Sequence, residues 1–213
     1  PFGLALAITA DEEGPAKDGT VAILDWAGSE GKMILGALVG EPTSVSDCGD
    51  TVKVGRRGSI TARIVVHGKQ GHVAYPHLGV NAVHEALSVL GKIAALNWED
   101  GDNLFPPTSL QIANLNAGTG ATNVIPGTLR CDINVRHTPA TSPEAIRNGI
   151  TSILEELKVP YDVEWIDGAN AFRTDESSLS TTLLESVENI TGLNPRPDAG
   201  GGTSDARFFA ARG

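Results

Sequence analysis

Apolar residues fall along this chain in three patterns. Gly3-Leu4-Ala5-Leu6-Ala7-Ile8-Thr9 and Ile34 to Val39 are short runs with few polar breaks, the pattern of a buried strand. Ser59 to His67 alternates, with Ile60, Ala62, Ile64 and Val66 on one face, as a half-buried strand does. Elsewhere apolar positions recur near a 3.6-residue period, which predicts amphipathic helices. Lys17 to Gly28 carries Val21, Ile23, Leu24 and Ala27. Val80 to Leu96 carries Val83, Ala86, Leu87, Leu90, Ile93 and Ala94. Glu176 to Thr191 carries Leu179, Leu183, Leu184, Val187 and Ile190.

The order of these elements predicts the architecture. Strand, helix and strand over residues 3–39, with Glu12, Glu13 and Glu41 just past the strand ends, is an α/β signature. Open α/β sheets gather their chemistry outside the carboxyl ends of the strands. A second unit begins near Gly58. After its first strand and helix come strands at Ser109 to Leu115 and Thr128 to Val135. A helix follows, opened by Ser142 as N-cap and Pro143 at the first helical position, and running to about Leu157. A strand at Tyr161 to Ile166 closes the unit. The order β-α-β-β-α-β is that of a split, ferredoxin-like unit. The expected division is an α/β domain in two pieces, 1–57 and 171–213, interrupted by a ferredoxin-like domain over 58–170. A glycine-rich loop, Asp198-Ala199-Gly200-Gly201-Gly202-Thr203-Ser204-Asp205, precedes a short helical run to Ala211.

Composition narrows the function. The chain carries 16 Lys and Arg against 26 Asp and Glu, a formal charge of −10. That balance disfavours a nucleic-acid partner, which needs clustered cations, but leaves room for an anionic small molecule met by a few local arginines. No apolar run approaches the ~18 residues that suggest a membrane span, so no membrane partner is expected. The first residues lack the basic segment and cleavage pattern of a secretory leader. Two cysteines, Cys48 and Cys131, suggest no disulfide framework, so a reducing cytoplasm is the expected location. The methionine count of one, at Met33, and the opening inside an apolar run read as an internal piece of a longer protein.

Candidate chemistry sits at a few places. Three adjacent carboxylates, Asp11-Glu12-Glu13, repel one another unless a cation lies among them. A metal would resolve the repulsion, one carboxylate ligating and its neighbour acting as general base; a solvated acidic turn is the plainer alternative. Glu41, in Gly40-Glu41-Pro42, would complete a carboxylate-rich site, although hydrolytic zinc normally also recruits histidine. His67, His72, His77, His84 and His137 all lie in the inserted unit. His72, in Gly71-His72-Val73-Ala74-Tyr75-Pro76-His77, is a candidate donor to a developing negative charge, while His67 and His84 read as structural. Arg56-Arg57 could face an anionic group or be a solvated hinge. The loop over Gly201 to Asp205 could offer backbone donors to a carboxylate, and it lacks the lysine and spacing of a phosphate-binding P-loop.

These strings together resemble the zinc aminoacylase/carboxypeptidase family of metallohydrolases. The resemblance runs from Thr9-Ala10-Asp11-Glu12-Glu13 through Gly40-Glu41-Pro42, Arg56-Arg57-Gly58-Ser59, Gly71–His77 and Asn123-Val124-Ile125-Pro126 to Gly201-Gly202-Thr203-Ser204-Asp205-Ala206-Arg207-Phe208. It implies a catalytic α/β domain with two zincs, interrupted by a ferredoxin-like dimerisation lid, and a homodimer formed through that lid. It implies hydrolysis of N-succinyl-LL-2,6-diaminopimelate, a bacterial step toward lysine and cell-wall precursors. Glu12 matches the general base, Glu13 and Glu41 match zinc ligands, and His72 matches a lid histidine that stabilises the oxyanion across the dimer. Arg56, Arg57, Tyr75, Asn123, Arg136, Gly202, Thr203 and Ser204 match substrate contacts. The family's first zinc histidine, its bridging aspartate and a later zinc histidine have no counterpart here, so the 213 residues are expected to bind zinc weakly. Two alternatives stay open: a catalytically inactive folding and dimerisation module, and a related acetylornithine deacetylase or aminoacylase.

Overall fold

A computed structural model describes residues 3–14, 16–202 and 204–212. The chain divides into two units, one formed by Pro1–Arg56 with Ala171–Gly213 and the other by Arg57–Asn170. In chain order the elements are α1 (Thr20–Ser29), β1 (Thr51–Lys53), β2 (Gly55–Arg56), β3 (Gly58–His67), β4 (Gly71–His72), α2 (Ala82–Ala94), β5 (Ser109–Ala117), β6 (Val124–Ile125), β7 (Thr128–His137) and α3 (Pro143–Leu154). They continue with β8 (Tyr161–Asp167), β9 (Phe172–Arg173), α4 (Ser178–Thr191), β10 (Arg196–Asp198) and α5 (Ala206–Ala210). None of the described helices is long and apolar enough to cross a membrane.

The Arg57–Asn170 unit is a four-stranded antiparallel sheet in the order β5-β7-β3-β8. The alternation read in β3 is the alternation found: Ile60, Ala62, Ile64 and Val66 are buried. Its partner β7 buries Leu129, Cys131, Ile133 and Val135 on the same face. Against that face lie α2, through Ala82, Ala86, Val89, Leu90 and Ile93, and α3, through Ile146, Ile150 and Leu154. Fully burying a side chain such as Leu or Ile stabilises by roughly 1.5–3 kcal/mol, so this one cluster dominates the unit's stability. Both helices start on side-chain caps. Asn81 Oδ1 accepts from the Val83 and His84 N–H groups, and Ser142 Oγ accepts from the Ala145 N–H, with Pro143 following it. One detail differs from the periodicity: Leu87 and Ala94 face solvent and Val89 takes the inward place. Several phases of a 3.6-residue wheel fit a helix this rich in small apolar residues, and the sheet selects one.

The other unit departs further from expectation. Neither Gly3–Thr9 nor Ile34–Val39 forms a strand. Leu4, Leu6, Ile8, Met33, Leu35 and Leu38 are exposed. A strand needs a neighbour for its N–H and C=O groups, and among the described residues no strand pairs with either segment, the Val39 carbonyl accepting only from the local Glu41 N–H. The ladders that do form are short, with β1 parallel to β10 and β2 antiparallel to β9. Of the helices, α1 buries Thr20, Leu24 and Ala27. α4 is well terminated, by a Ser177–Ser180 capping box and by Gly192 at φ 73°, yet buries no residue fully.

Candidate functional site

In the first unit the acidic triplet separates into different roles. Asp11 is occupied locally: its Oδ2 accepts from the Lys17 N–H at 2.5 Å and the Asp18 N–H at 2.9 Å, and the Asp18 bond first of all holds its carboxyl below the ordinary range. Glu12 is half-buried and Glu13 exposed. Partial burial, then the negative charges of Glu41, Glu13 and Asp205, push the Glu12 carboxyl above its ordinary range, while Arg207 pulls it back. Residues distant in sequence thus converge electrostatically on Glu12. Asp205 was only part of a loop string in the sequence. It is buried, its Oδ2 accepts from Thr20 Oγ1 at 2.6 Å, and its Oδ1 is buried without a partner among the described residues. That bond fastens the start of α5 to the start of α1.

The glycine loop is held at its other end too. Asp198 Oδ2 accepts the Gly200 N–H at 3.0 Å and pairs with Lys53 Nζ. Arg56, only 7% exposed, donates from Nη1 to the Gly200 carbonyl at 2.9 Å. Gly201 sits at φ +92°, and a Cβ there would lie 3.0 Å from Arg56 Nη1, so the position demands glycine. Gly202 is exposed and Ser204 buried; Thr203 lies outside the described residues.

The candidate residues of the second unit do not all meet. The β4–β6 ladder, with Gly71 opposite Ile125 and His72 opposite Val124, joins two loops distant in sequence. It sets Asn123 Nδ2 3.5 Å from His72 Nε2. His72 Nδ1 is 3.1 Å from the Ala74 N–H and accepts from it. With that lone pair engaged, Nε2 is the ring nitrogen that faces Asn123 Nδ2. The Tyr75 ring centroid is 6.0 Å from that of His72. Arg136 stands apart on the open sheet face, its Nε donating to Asn134 Oδ1 at 3.1 Å. Arg57 is half-buried, with its Nε hidden and without a partner among the described residues. Of the remaining histidines, His67 pairs with Asp162 at 2.7 Å and His137 is buried.

A metal centre does not assemble from these residues. Among those described, no three His, Cys, Asp or Glu side chains come close enough together to hold an ion. Glu13 and Glu41 are oxygen donors of the right kind, but on this chain they do not make a complete zinc site.

A family model described as the peptidase dimerisation domain (M20) matches residues 54–162. Succinyl-diaminopimelate desuccinylase from Leptothrix cholodnii is 44% identical over 97% of this chain and 54% of that protein. The protein of the same name from Cupriavidus pinatubonensis is 45% identical over the same shares. The chain thus spans about half the length of the curated relatives it matches. Among solved structures, an M20 family metallo-carboxypeptidase from Sulfolobus solfataricus aligns with a TM-score of 0.64 at 12% identity, over 75% of this chain and 56% of that one. A tripeptidase from Staphylococcus aureus aligns with a TM-score of 0.62 at 20% identity, over 76% and 43%. At those identities the structural likeness speaks for the fold alone. The family model covers more than half of the residues, including the whole of the β3–β7 core: the chain belongs to the M20 peptidase dimerisation-domain family.

Proposed function

We propose that this chain is the central part of a hydrolase that cleaves N-succinyl-LL-2,6-diaminopimelate to succinate and LL-2,6-diaminopimelate, a step of bacterial lysine and diaminopimelate synthesis. The observation that carries the reading is identity of 44% and 45%, over 97% of the chain, to two proteins named for that desuccinylation. In this reading residues 1–57 and 171–213 belong to the catalytic domain, and 58–170 is a lid through which two subunits pair. Glu13 and Glu41 are the chain's share of the ligands for zinc, two ions per subunit. Because the described residues do not complete such a centre, the 213 residues alone are inactive.

The chemistry assigned to the chain's own side chains is proton transfer and charge stabilisation. Glu12 takes a proton from the water attacking the succinyl amide carbonyl and returns it to the leaving amine. Burial, the first cause that raises the Glu12 carboxyl, works in the direction that suits a general base. His72, from the partner subunit's lid, donates from Nε2 to the oxyanion of the tetrahedral intermediate, with Asn123 beside it. Arg56, Arg57, Tyr75, Arg136 and the Gly202-Thr203-Ser204 backbone hold the substrate's carboxylates. The test is direct. The gene product containing these residues, expressed whole with zinc, should release succinate from the succinylated substrate faster than acetate from N-acetylornithine. No succinate release would overturn the proposal, and a preference for the acetylated substrate would move the enzyme to the deacetylase branch.

A further inference from the structure

The strongest unassigned arrangement surrounds a single residue, Gly200. Its N–H is held by Asp198 and its carbonyl by Arg56 Nη1, at 3.0 and 2.9 Å. Asp198 is itself braced by Lys53, which lies opposite it in the parallel β1–β10 ladder. Both members of the ion pair are largely shielded, at 16% exposure for the Lys53 side chain and 24% for that of Asp198. Such a pair is less screened and better fixed than a surface salt bridge. Partial burial works to raise the Asp198 carboxyl, but bonds from Lys53 and from the Gly200 N–H outweigh it and hold the group ionised.

The next two residues are left open. Gly201 and Gly202 are exposed, and their N–H groups donate to no acceptor among the described residues. The backbone is fixed at Gly200 and turns through a positive φ at Gly201. Successive unpaired N–H groups on a pinned backbone can converge on an oxyanion. Were Gly200 free to rotate, ordering these donors would cost conformational entropy on every binding event.

We infer that Asp198, braced by Lys53, is a positioning residue that sets the Gly200–Gly202 backbone in the orientation that receives a substrate carboxylate. The inference rests on the reading of this loop as a carboxylate contact. Asp198 acts through Gly200 and does not touch the substrate. The loop holds a carboxylate remote from the scissile amide, so losing its set should weaken binding of substrate and transition state alike, raising KM more than it lowers kcat.

The experiment uses the whole gene product and three variants. Asp198→Ala should raise KM for the succinylated substrate about tenfold or more, with kcat within about threefold. Asp198→Asn, whose amide oxygen still accepts the Gly200 N–H, should recover most of that loss, and Lys53→Met should fall between. Three analogues extend the test, each lacking one of the substrate's three carboxylates. The Asp198→Ala penalty should vanish on the analogue missing the group that the loop receives; equal penalties on all substrates would make Asp198 merely structural and overturn the inference. Calorimetric titration with free succinate and with LL-diaminopimelate separates the two failures. Binding of one probe weakened by Asp198→Ala in a protein that releases no succinate would sink the desuccinylase reading and keep the positioning role. Full activity with KM and probe affinities unchanged in Asp198→Ala would do the reverse. A wild type that binds neither probe, or inactivity with probe affinities unchanged in the variant, would remove both.

Discussion

The two units hold similar kinds of side chain in opposite circumstances. In Arg57–Asn170 the large aliphatics of β3, β7 and α3 are almost wholly hidden, with Ile133, Ile146, Ile150 and Leu154 at 0% exposure. In the other unit Leu6, Ile8, Met33 and Leu35 stand between 69% and 86% exposed. Apolar content is comparable; the difference is partnership. Every strand of the four-stranded sheet has a ladder neighbour and a helix-covered face, whereas residues 3–9 and 34–39 have neither among the described residues. The unit with the least internal cohesion is the one that carries Glu12, Glu13, Glu41 and the glycine loop. Cohesion is shared unequally between the units while candidate residues lie in both, and four measurements probe how sharply.

The largest contrast should come from the two thiols. Cys48 is exposed in the first unit and Cys131 is buried in the sheet. Burial, reinforced by Asp132, pushes the Cys131 thiol up to about 11, which leaves only ~10⁻³ of it as thiolate at pH 8 before access is considered. Under native conditions a thiol-specific disulfide reagent should therefore modify Cys48 promptly and Cys131 more than ~10³-fold more slowly, at the pace of unfolding. Two fast thiols would show that the sheet's core opens readily.

Next is Glu12→Gln in the whole gene product, which should lower kcat by about 10³-fold with an unchanged far-ultraviolet spectrum. A near-normal rate would remove Glu12 as the base. Third, the same chemical change should differ sharply between the units. Leu154→Ala should cost about 3 kcal/mol by urea titration, and Leu35→Ala no more than ~0.5 kcal/mol. Equal losses would mean that the 34–39 segment is covered in solution.

The smallest effect is one of pH. Glu99 feels burial raising its carboxyl, but bonds from the Thr108, Gly101 and Thr138 groups outweigh this and hold it below the usual carboxylate range. The depressed folded-state value means that its contribution is complete above the unfolded-state pKa and fades as pH falls through the folded-state one. The Arg57–Asn170 unit should lose stability on acidification below the usual carboxylate range, and Glu99→Gln should flatten that slope. An unaltered slope would locate the acid sensitivity elsewhere.

What the sequence made legible follows the same division. The Ile60–Val66 alternation and the Ser142-Pro143 start are local signals that the sheet and helix satisfy directly. The run Gly3–Thr9 carries an equally good local signal, but a strand is a relation between segments, and no local pattern supplies the second one. The candidate site shows the same limit. Loops containing His72 and Asn123 were both conspicuous, yet only the β4–β6 register brings them together. The bond from Arg56 Nη1 to the Gly200 carbonyl was equally out of reach, because a contact to a backbone carbonyl leaves no pattern in the sequence. Asp198 stood at the head of the glycine-rich string and Lys53 in no string, and neither showed their pairing, which lies in a ladder between residues far apart in the chain.

One feature of the sheet bears on how the chain folds at all. The Ser59 N–H donates to the Ala169 carbonyl and the Gly168 N–H to the Ser59 carbonyl, both at 2.9 Å, so the Arg57–Asn170 unit begins and ends at adjacent backbone positions. Once folded, it is to its flanking segments no more than a tight turn. Bringing β1 to β10 then requires closing a link of a few residues instead of more than a hundred, which lowers the closure entropy by about 3 kcal/mol. Formation of the β1–β10 and β2–β9 ladders should therefore lag behind the core of β3 and β7, and a lesion that slows that core, such as Leu154→Ala, should delay the assembly of a glycine loop it never touches.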